Sequence, residues 1–312
     1  MNIIAKEPGR FVDPLVTAEG KTRAQVSVSA LKTLWLNTGT LCNLACANCY
    51  IESTPRNDRL AYLTRADVAA YLREIQQHSL PVSEIGITGG EPFMNPDIVP
   101  ILEDCVGAGF SVLVLTNAMR PMMKCADALL DLNQRYPEQL TLRVSVDHYE
   151  QSLHEEERGD RSWKPMLNGL RWLSESGICV HAAGRTRWGD DEGELRSGFS
   201  RLFQQIGVDI DAADPAALLL FPEMDASANV PEITTECWGV LGVDPQEMMC
   251  ASARMVVRRK GAAEPEVVAC TLLPYEPEFS YGSSLLGSLG PVSLNHPHCA
   301  RFCVLGGGSC SA

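Results

Sequence analysis

The sequence predicts an α/β protein in which strands alternate with helices in one open or closed β/α barrel. Two observations lead to this prediction. Short apolar runs rich in β-branched residues recur along the chain, and amphipathic segments of helical length separate them. Strands separated by helices pair in parallel through right-handed crossovers, so their carboxyl ends meet at one edge. Functional side chains are therefore expected directly after strands.

The elements follow in chain order. The predicted strands are residues 33–38, 84–90, 111–117, 141–147, 178–184 and 217–223. The predicted helices are residues 64–78, 95–109 and 164–177. Thr64 or Asp67 lies near the start of the first helix, and the other two end at glycine, as helices commonly do. A hairpin is predicted between Cys250 and Cys270, with its turn at residues 260–262.

The composition suits one large domain with smaller attachments. Of the 312 residues, 45% are hydrophobic and 21% are charged, as in ordinary globular proteins. We expect an N-terminal extension (1–30), a barrel (31–235) and a cysteine-rich C-terminal α+β region (236–312). The formal charge of −13 argues against nucleic acid or an anionic membrane surface as a partner. No signal peptide or membrane span is apparent, which predicts a cytoplasmic location.

Twelve cysteines require an explanation. In a reducing compartment, metal binding or catalysis is a better interpretation than a disulfide framework. Cys105, Cys125 and Cys179 are scattered through helix-like or strand-like segments and are interpreted as small buried hydrophobic residues. Cys237 is interpreted as structural. The remaining eight cysteines form two groups.

The first group is the cysteine loop, residues 42–49, which contains Cys42, Cys46 and Cys49 and follows the first predicted strand. A closed structural zinc site usually takes four protein ligands. Three thiolates in one loop instead suit a [4Fe–4S] cluster with one iron left free, because each iron normally takes one thiolate. The loop therefore favours an iron–sulfur cluster.

The glycine motif, residues 89–92, follows the next predicted strand. Gly89 and Gly90 allow a backbone to approach a ligand closely, and Glu91 can accept a hydrogen bond from an ammonium group. Pro92 completes the motif. Alone it is a weak signal, but its position one strand after the cysteine loop makes it a strong one.

The cysteine loop and the glycine motif together resemble the radical S-adenosylmethionine (SAM) superfamily, with its Cys-x3-Cys-x2-Cys loop and its GGE element. The resemblance covers residues 33–223 and implies a partial (β/α)6 barrel whose cluster binds SAM through the fourth iron. It also implies reductive cleavage of SAM to a 5′-deoxyadenosyl radical, hydrogen abstraction from a substrate, and a flavodoxin- or ferredoxin-type electron donor. The family often has an aromatic residue before the third cysteine, where this chain has Asn48, with Tyr50 directly after that cysteine.

The resemblance implies further contacts to SAM. Ser145 and Asp147, at the end of the fourth predicted strand, resemble the family's polar contacts to ribose or methionine. Asn117 resembles a family turn in which Ala118 replaces the usual glycine, and Arg185 is a candidate partner for the SAM carboxylate. Each of these residues also has a purely structural interpretation. A Gly90→Val change is expected to weaken SAM binding without loss of iron.

The segment 148–163 carries five acids and ends in a family-like Arg158-Gly159 pair. A charged run of this kind usually forms a solvated face, and contact with the substrate is the alternative interpretation. His148 and His154 lie in the same segment. An isolated histidine is weak evidence of catalysis.

The second cysteine group resembles the SPASM and twitch extensions of radical SAM enzymes, which bind auxiliary [4Fe–4S] clusters. It consists of Cys250, Cys270, Cys299, Cys303 and Cys310. A full SPASM extension has seven cysteines for two clusters, and five suffice for one. We expect Cys250, Cys270, Cys303 and Cys310 as ligands, with Cys299 able to exchange for Cys303.

Two features near this second group bear on its ligands. The glycine run 306–308 gives the tail the freedom to wrap a cluster. A zinc site with His296 and His298 as extra donors is the alternative.

Three functions compete at this point. The first is a radical SAM enzyme with an auxiliary cluster. The second is a zinc-binding interaction protein on a barrel scaffold. The third is a radical SAM methyltransferase or carrier-type enzyme, whose extra methyl-donor domains find no room in this length. About 30 residues precede the first predicted strand, too few for a peptide-recognition domain, which favours a small molecule or a partner-presented substrate over a peptide.

Overall fold

A computed structural model describes residues 9–222 and 229–308. The strands of this part of the chain are β1 (Gln25–Val26), β2 (Thr33–Asn37), β3 (Glu84–Thr88), β4 (Ser111–Thr116), β5 (Leu140–Asp147), β6 (Cys179–Arg185), β7 (Leu218–Phe221), β8 (Ala253–Val257), β9 (Glu266–Val268) and β10 (Val292–Ser293). The α-helices are α1 (Arg65–Gln77), α2 (Ile98–Gly107), α3 (Arg120–Met123), α4 (Ala126–Arg135), α5 (Gln151–Arg158), α6 (Trp163–Glu175), α7 (Glu192–Ile206) and α8 (Cys237–Leu241). Short 3₁₀ turns span Pro92–Met94, Pro245–Glu247, Met249–Ala251, Pro277–Phe279 and Leu286–Ser288, and a π-helical turn spans Cys299–Val304.

One eight-stranded sheet organises the fold, in the order β7-β6-β5-β4-β3-β2-β8-β9. Strands β2 to β8 pair in parallel, and β9 is antiparallel to β8. The six predicted strands are confirmed as β2 to β7. Within the described residues, β7 and β9 have no further partner strand, so the sheet is open there.

The C-terminal hairpin departs from the predicted domain division. Its strands β8 and β9 form the expected antiparallel pair, but β8 also pairs in parallel with β2, placing Arg254 opposite Leu34. All five residues of β8 are buried. The hairpin therefore extends the barrel sheet instead of forming a separate region, because β2 would otherwise leave a backbone edge unpaired.

The first helix begins as the sequence predicts. The Thr64 hydroxyl accepts from the backbone N–H of Asp67, and the Asp67 carboxylate accepts from the N–H of Thr64 at 2.8 Å. This capping box satisfies two N–H groups that the helix itself leaves unpaired. It fixes the entry of α1 directly after the segment that carries the cysteine loop.

The sheet separates two hydrophobic cores. Residues such as Leu34 and Ile85 face the helices, whereas Trp35 and Met255 face the C-terminal region. This alternation follows from the two-residue period of a strand. Gly86 lies so close to the Trp35 ring that an added Cβ would be 2.4 Å from a ring carbon. The inner core thus joins the barrel to the segments that carry the second cysteine group.

The scattered cysteines behave differently from one another. Cys105 is buried in α2, as predicted, and Cys125 is half-buried. Cys179 is exposed, contrary to the prediction, because it is the first residue of β6 and lies outside the core. The Cys237 sulfur accepts from the N–H of Thr234 at 3.3 Å, consistent with a structural role.

The N-terminal segment packs against the region after β7. Strand β1 pairs with β10, and the buried Arg23 guanidinium forms an ion pair with Glu232. The Glu232 carboxylate also accepts from the N–H groups of Phe11 and Ala18, both at 2.7 Å. None of the helices in the described parts of the chain is both long and apolar enough to cross a bilayer.

Candidate active site

The cysteine loop lies at the carboxyl end of β2 and borders a cavity of about 140 Å³. The carboxyl ends of β3 to β7 surround the same cavity, as expected for a site in a β/α fold. Its lining comprises Cys42, Cys46, Cys49, Tyr50, Ile51, Ser53, Thr88, Gly89, Gly90, Leu115, Thr116, Asn117, Ser145, Asp147, Arg158, Ala183, Arg185, Phe221, Pro222, Leu272 and Phe302. All three predicted radical-site cysteines thus converge on one space.

Backbone N–H groups point at two of these sulfurs. Leu44 donates to the sulfur of Cys42 at 3.4 Å, and Ser53 donates to the sulfur of Cys49 at 3.3 Å. Burial raises the pKa of Cys42 to about 12, and the Leu44 N–H offsets only part of that effect. A metal must therefore displace a proton there. Three thiols on one loop, with N–H donors to two of their sulfurs, fit a [4Fe–4S] cluster.

The glycine motif packs against the cysteine loop itself. An added Cβ on Gly90 would lie 2.2 Å from the carbonyl oxygen of Leu41, and one on Gly89 would lie 2.6 Å from that of Gly39. Gly90 N–H donates to Gly39 at 2.8 Å. Both glycines also line the cavity. The close approach that they permit is thus first an approach to Gly39 and Leu41, in the backbone that leads into Cys42.

Glu91 faces away from the cavity. Its buried carboxylate accepts from the Thr116 hydroxyl at 2.9 Å and from the N–H groups of Asn117 and Phe93. Burial raises its pKa to about 7, although these donors oppose the shift. The expectation that Glu91 accepts from an ammonium group does not agree with this geometry, because protein donors occupy its oxygens. Pro92 is likewise buried and begins a 3₁₀ turn outside the lining.

Glu91 thereby positions the loop after β4. Asn117 lines the cavity, and its side-chain amide donates to the Asn43 side chain at 2.9 Å and lies 4.0 Å from the Cys42 sulfur. Ala118 has φ +57°, the left-handed conformation for which glycine is usual. The turn that the sequence suggested at this position is therefore present, with alanine held in a strained conformation.

The predicted polar residues of β5 and β6 also line the cavity. Ser145 and Asp147 flank an irregularity in the β5–β6 register, and Asp147 has φ +60°. The Asp147 carboxylate pairs with Arg158 and, at 3.2 Å, with Arg185. Burial pushes the pKa of Asp147 upward, but the two guanidinium groups outweigh it and hold the pKa below its ordinary value. Arg158, which lines the cavity near Cys46, was not among the predicted site residues.

A second unpredicted residue, Glu157, binds the cysteine loop through hydrogen bonds to Asn48 and Ala47. Its side chain is 0% exposed. Its two carboxylate oxygens accept from the Asn48 backbone N–H at 2.9 Å and from the Asn48 side-chain amide at 2.8 Å. Its own carbonyl accepts from Ala47 N–H at 2.8 Å. Arg187 pairs with the same carboxylate at 3.0 Å. We call Glu157 and Asn48 the loop clamp.

The loop clamp also explains the acidic segment. Most of residues 148–163 form α5 and the start of α6, and Glu157 on α5 is turned inward. His148 and His154 are fully buried, outside the cavity lining. The His154 ring is 2.6 Å from the Val146 carbonyl oxygen. The solvated-face interpretation was thus wrong for Glu157, because the run of neighbouring acids hid the one acid that faces inward.

The second cysteine group converges on a separate small cavity. Cys250, Cys270, Cys299 and Cys303 line it together with Met248, Met249, Leu273, Val292 and Leu294. Cys310, an expected ligand, lies outside the described residues. Cys299, expected only to exchange with Cys303, lies beside Cys303 in the lining. The four thiols in an apolar shell fit a thiolate-bound cluster.

The extra donors of the zinc alternative lie outside this cavity lining. In the described residues, no group of three His, Cys, Asp or Glu side chains is placed to hold a single metal ion. His296 and His298 are absent from the lining, and one His296 ring nitrogen accepts from the N–H of His298 at 3.1 Å.

Leu272 and Phe302 separate the two cysteine sites. Both line the first cavity, whereas Leu273 and Cys303, which follow them directly in the chain, line the second. The rings of Phe302 and Phe221 stack 6.0 Å apart. An added Cβ on Gly308 would lie 2.6 Å from the Phe302 ring. Within the described residues, the glycine run therefore packs on this partition.

Comparisons with known proteins agree with this geometry. Residues 36–185 match the family model of the Radical SAM superfamily. The antilisterial bacteriocin subtilosin biosynthesis protein AlbA of Bacillus subtilis (strain 168) is 29% identical over 143 residues, 46% of this chain and 30% of AlbA. The 7-carboxy-7-deazaguanine synthase of Koribacter versatilis (strain Ellin345) is 33% identical over 84 residues, 27% of this chain and 34% of that protein. The matched segments thus span about a third of either relative.

Solved structures share the fold. SuiB of Streptococcus suis, solved bound to S-adenosylmethionine, has a TM-score of 0.60 at 13% identity and covers 82% of this chain and 64% of SuiB. Native anSMEcpe with bound AdoMet has a TM-score of 0.55 at 11% identity, with 80% and 77% covered. A further SuiB structure contains the precursor peptide SuiA.

Proposed function

Residues 36–185 belong to the radical SAM superfamily, and from this premise we propose that the chain is an enzyme that cleaves SAM reductively and abstracts hydrogen from a peptide substrate. The observation that carries the proposal is the convergence of Cys42, Cys46 and Cys49 on one cavity at the carboxyl ends of the parallel strands. Polar side chains complete one part of the lining, and apolar side chains complete another. The polar ones include Asn117, Ser145, Asp147, Arg158 and Arg185, and the apolar ones include Phe221, Leu272 and Phe302.

In this proposal the three thiolates of the cysteine loop hold a [4Fe–4S] cluster. When bound, this cluster would supply the electron for reductive cleavage of a C–S bond of SAM, which would give the 5′-deoxyadenosyl radical that takes hydrogen from the substrate. The loop clamp fixes the loop, and Gly89 and Gly90 keep it close to β3. Because no carboxylate of the glycine motif faces the cavity, the cofactor's ammonium group would be bound by backbone carbonyls and by Asn117 or Ser145.

The two cavity-lining guanidinium groups would orient anionic groups. Arg158 and Arg185 both pair with Asp147, so their planes are held in place before any ligand arrives. A guanidinium recognises a carboxylate in a bidentate manner. We therefore assign the SAM carboxylate to Arg158 or Arg185, where the sequence alone suggested Arg185.

The second cysteine group would hold an auxiliary [4Fe–4S] cluster through Cys250, Cys270, Cys299 and Cys303. All four line one cavity, whereas Cys310, the other expected ligand, lies outside the described residues. The apolar partition of Leu272 and Phe302 would exclude water between the two sites.

A peptide substrate is favoured over the small molecule that the short N-terminal segment suggested. AlbA takes part in the biosynthesis of a bacteriocin, and SuiB binds a precursor peptide. A flavodoxin- or ferredoxin-type electron donor and a cytoplasmic location are parts of the same proposal. A small Cys- or Gly-rich precursor encoded beside this chain would support the peptide, and a metabolic operon would support the small molecule.

The test uses anaerobic reconstitution. The wild-type chain should bind about eight irons, and with SAM and dithionite it should release 5′-deoxyadenosine. The triple variant Cys42→Ala, Cys46→Ala, Cys49→Ala should lose about four irons and all 5′-deoxyadenosine. Continued release by the triple variant would refute the assignment of the radical site.

A further inference from the structure

Arg254 in β8 is a fully buried cation. Its guanidinium donates hydrogen bonds to four backbone carbonyl oxygens. These belong to Ser288 at 2.8 Å, Cys250 at 2.7 Å, Ala253 at 2.8 Å and Gly290 at 3.0 Å. Arg254 is the one charged residue of the apolar strand β8.

The charge of Arg254 has no carboxylate partner in the described residues. Arg23, which is equally buried, pairs with Glu232, whereas no ion pair among the described residues involves Arg254. Carbonyl dipoles satisfy its N–H donors without cancelling its charge. A buried charge without a counter-ion costs several kcal/mol. Its retention in a strand therefore points to an anion nearby.

The candidates for that anion are the auxiliary-site thiols. The Arg254 guanidinium donates to the backbone carbonyl of Cys250 at 2.7 Å. Burial lowers the pKa of Arg254, and a negative charge on Tyr281, Cys250 or Cys270 would raise it. Tyr281 is a neutral phenol at ordinary pH, and its ring lies 5.4 Å from the guanidinium carbon. Cys250 and Cys270 both line the second cavity.

We propose that Arg254 is the built-in counter-cation of an anionic metal–thiolate group held by Cys250, Cys270, Cys299 and Cys303, and that it sets the reduction potential of that group. The inference rests on the proposed auxiliary cluster. Each thiolate contributes one negative charge, so a cluster with four cysteine ligands is an anion, and reduction adds another. A fixed positive charge stabilises the reduced form more than the oxidised form.

Two substitutions separate charge from shape. Arg254→Met removes the charge and keeps an extended side chain, whereas Arg254→Lys keeps the charge. Each is made in the full chain carrying the Cys42, Cys46 and Cys49 alanine substitutions, so that the remaining irons belong to the second site. Arg23→Met is the matched control, because Arg23 is equally buried but already paired.

The readouts are iron content, the midpoint potential from an EPR-monitored titration, and Tm with and without iron. We expect Arg254→Met to shift the potential to more negative values and to shrink the gain in Tm on loading. Arg254→Lys should restore most of both. Arg23→Met should lower Tm in both forms and leave the potential unchanged.

The outcomes distinguish the inference from the function that it builds on. About four irons in the background chain with an unchanged potential in Arg254→Met would refute the role of Arg254 alone. A background chain without iron would remove the auxiliary cluster and this inference together, while release of 5′-deoxyadenosine by the wild-type chain would still support the radical site.

Discussion

The two cysteine sites are stabilised by opposite means. Around the cysteine loop, buried acids and guanidinium groups alternate, with Asp147 and Glu157 paired to Arg158, Arg185 and Arg187. Around the second cysteine group the described lining is apolar, and one unpaired guanidinium lies beside it. The first site is electrostatically complete in the protein alone. The second is complete only when an anion is present.

The difference follows from what each site has to bind. A radical site must admit a zwitterionic cofactor and an exchanging substrate, so it needs fixed charges that keep their orientation when the cavity is empty. An auxiliary site binds one group permanently, and the thiolates of that group can serve as the counter-charge. The predictions below test this contrast, in order of decreasing effect.

The largest effect is expected at the loop clamp. Replacing Glu157 by Ala removes two side-chain acceptor bonds to Asn48 of the cysteine loop and leaves Arg187 without a buried partner. Groups that support metal ligands typically contribute 10- to 100-fold in metal affinity, and we expect a loss of iron affinity of about that size at the radical site. The second site should keep about four irons. Iron analysis and EPR before and after adding SAM would measure both.

Glu156→Gln is the matched control for the clamp. Glu156 is adjacent in sequence and also contacts Arg187, at 3.6 Å, but its side chain is 51% exposed. The Glu156→Gln chain should keep its full iron content at both sites. Equal losses of iron from both sites in Glu157→Ala would contradict the electrostatic independence of the two sites.

A smaller effect is expected at Gly90. A Gly90→Ala change places a methyl group 2.2 Å from the Leu41 carbonyl oxygen, so the backbone before Cys42 must move. Overpacking of this kind costs about 1–3 kcal/mol. We now expect iron and SAM binding to weaken together, in contrast to the sequence-based expectation that SAM binding alone would fall. Isothermal titration with SAM and iron analysis on the same sample would decide.

Gly239 offers the control for Gly90. No atom lies within 4 Å of an added Cβ there, and the residue is in α8. Gly239→Ala should leave both ligands unaffected. A Gly90→Ala chain with full iron but weakened SAM binding would restore the original expectation.

The smallest effect on the metal sites is expected at the paired buried arginine, because a change there acts on folding stability and not on iron binding. Glu232→Gln breaks the ion pair with Arg23, which should cost about 3 kcal/mol at neutral pH. Burial alone would raise the pKa of Glu232. The hydrogen bond from Arg23 and those from Phe11 and Ala18 outweigh it and hold this pKa below its ordinary 4.5. A lowered pKa stabilises the fold above the unfolded value, and this contribution is lost as pH falls.

Urea unfolding of both chains across pH would test this sign. The wild-type advantage should be complete above about pH 4.5 and should shrink as the pH falls further. Glu236→Gln, an exposed acid nearby, should show no such dependence. An advantage that grows towards acid pH would show that the carboxylate is not stabilised by Arg23.

Much of the barrel could be predicted because its signals are local. Strand periodicity, the Thr64 cap and the cysteine loop each depend on neighbouring residues, and all are present as expected. The pairing of β8 with β2 could not be predicted, because a hairpin of apolar strands does not reveal which edge it will meet.

The site was predicted where a motif carries its own geometry and missed where charge is distributed over distant segments. Glu157 lies among other acids, and only the fold shows that it faces Asn48. Glu91 was assigned to a ligand because the sequence does not show that Thr116 and Asn117 supply its donors. Side chains that act on other side chains leave little trace in a single sequence.

The position of β8 beside β2 has a consequence for the biogenesis of the enzyme. The strand that leads into the cysteine loop lies between β3 and β8, and β8 leaves the ribosome after most of the chain. Contacts between such distant segments form slowly, because a long loop must close first. The radical site is therefore fully supported, and ready for iron, only after translation has passed β8. Assembly of the two sites is thus coupled in time, although their chemistry is separate.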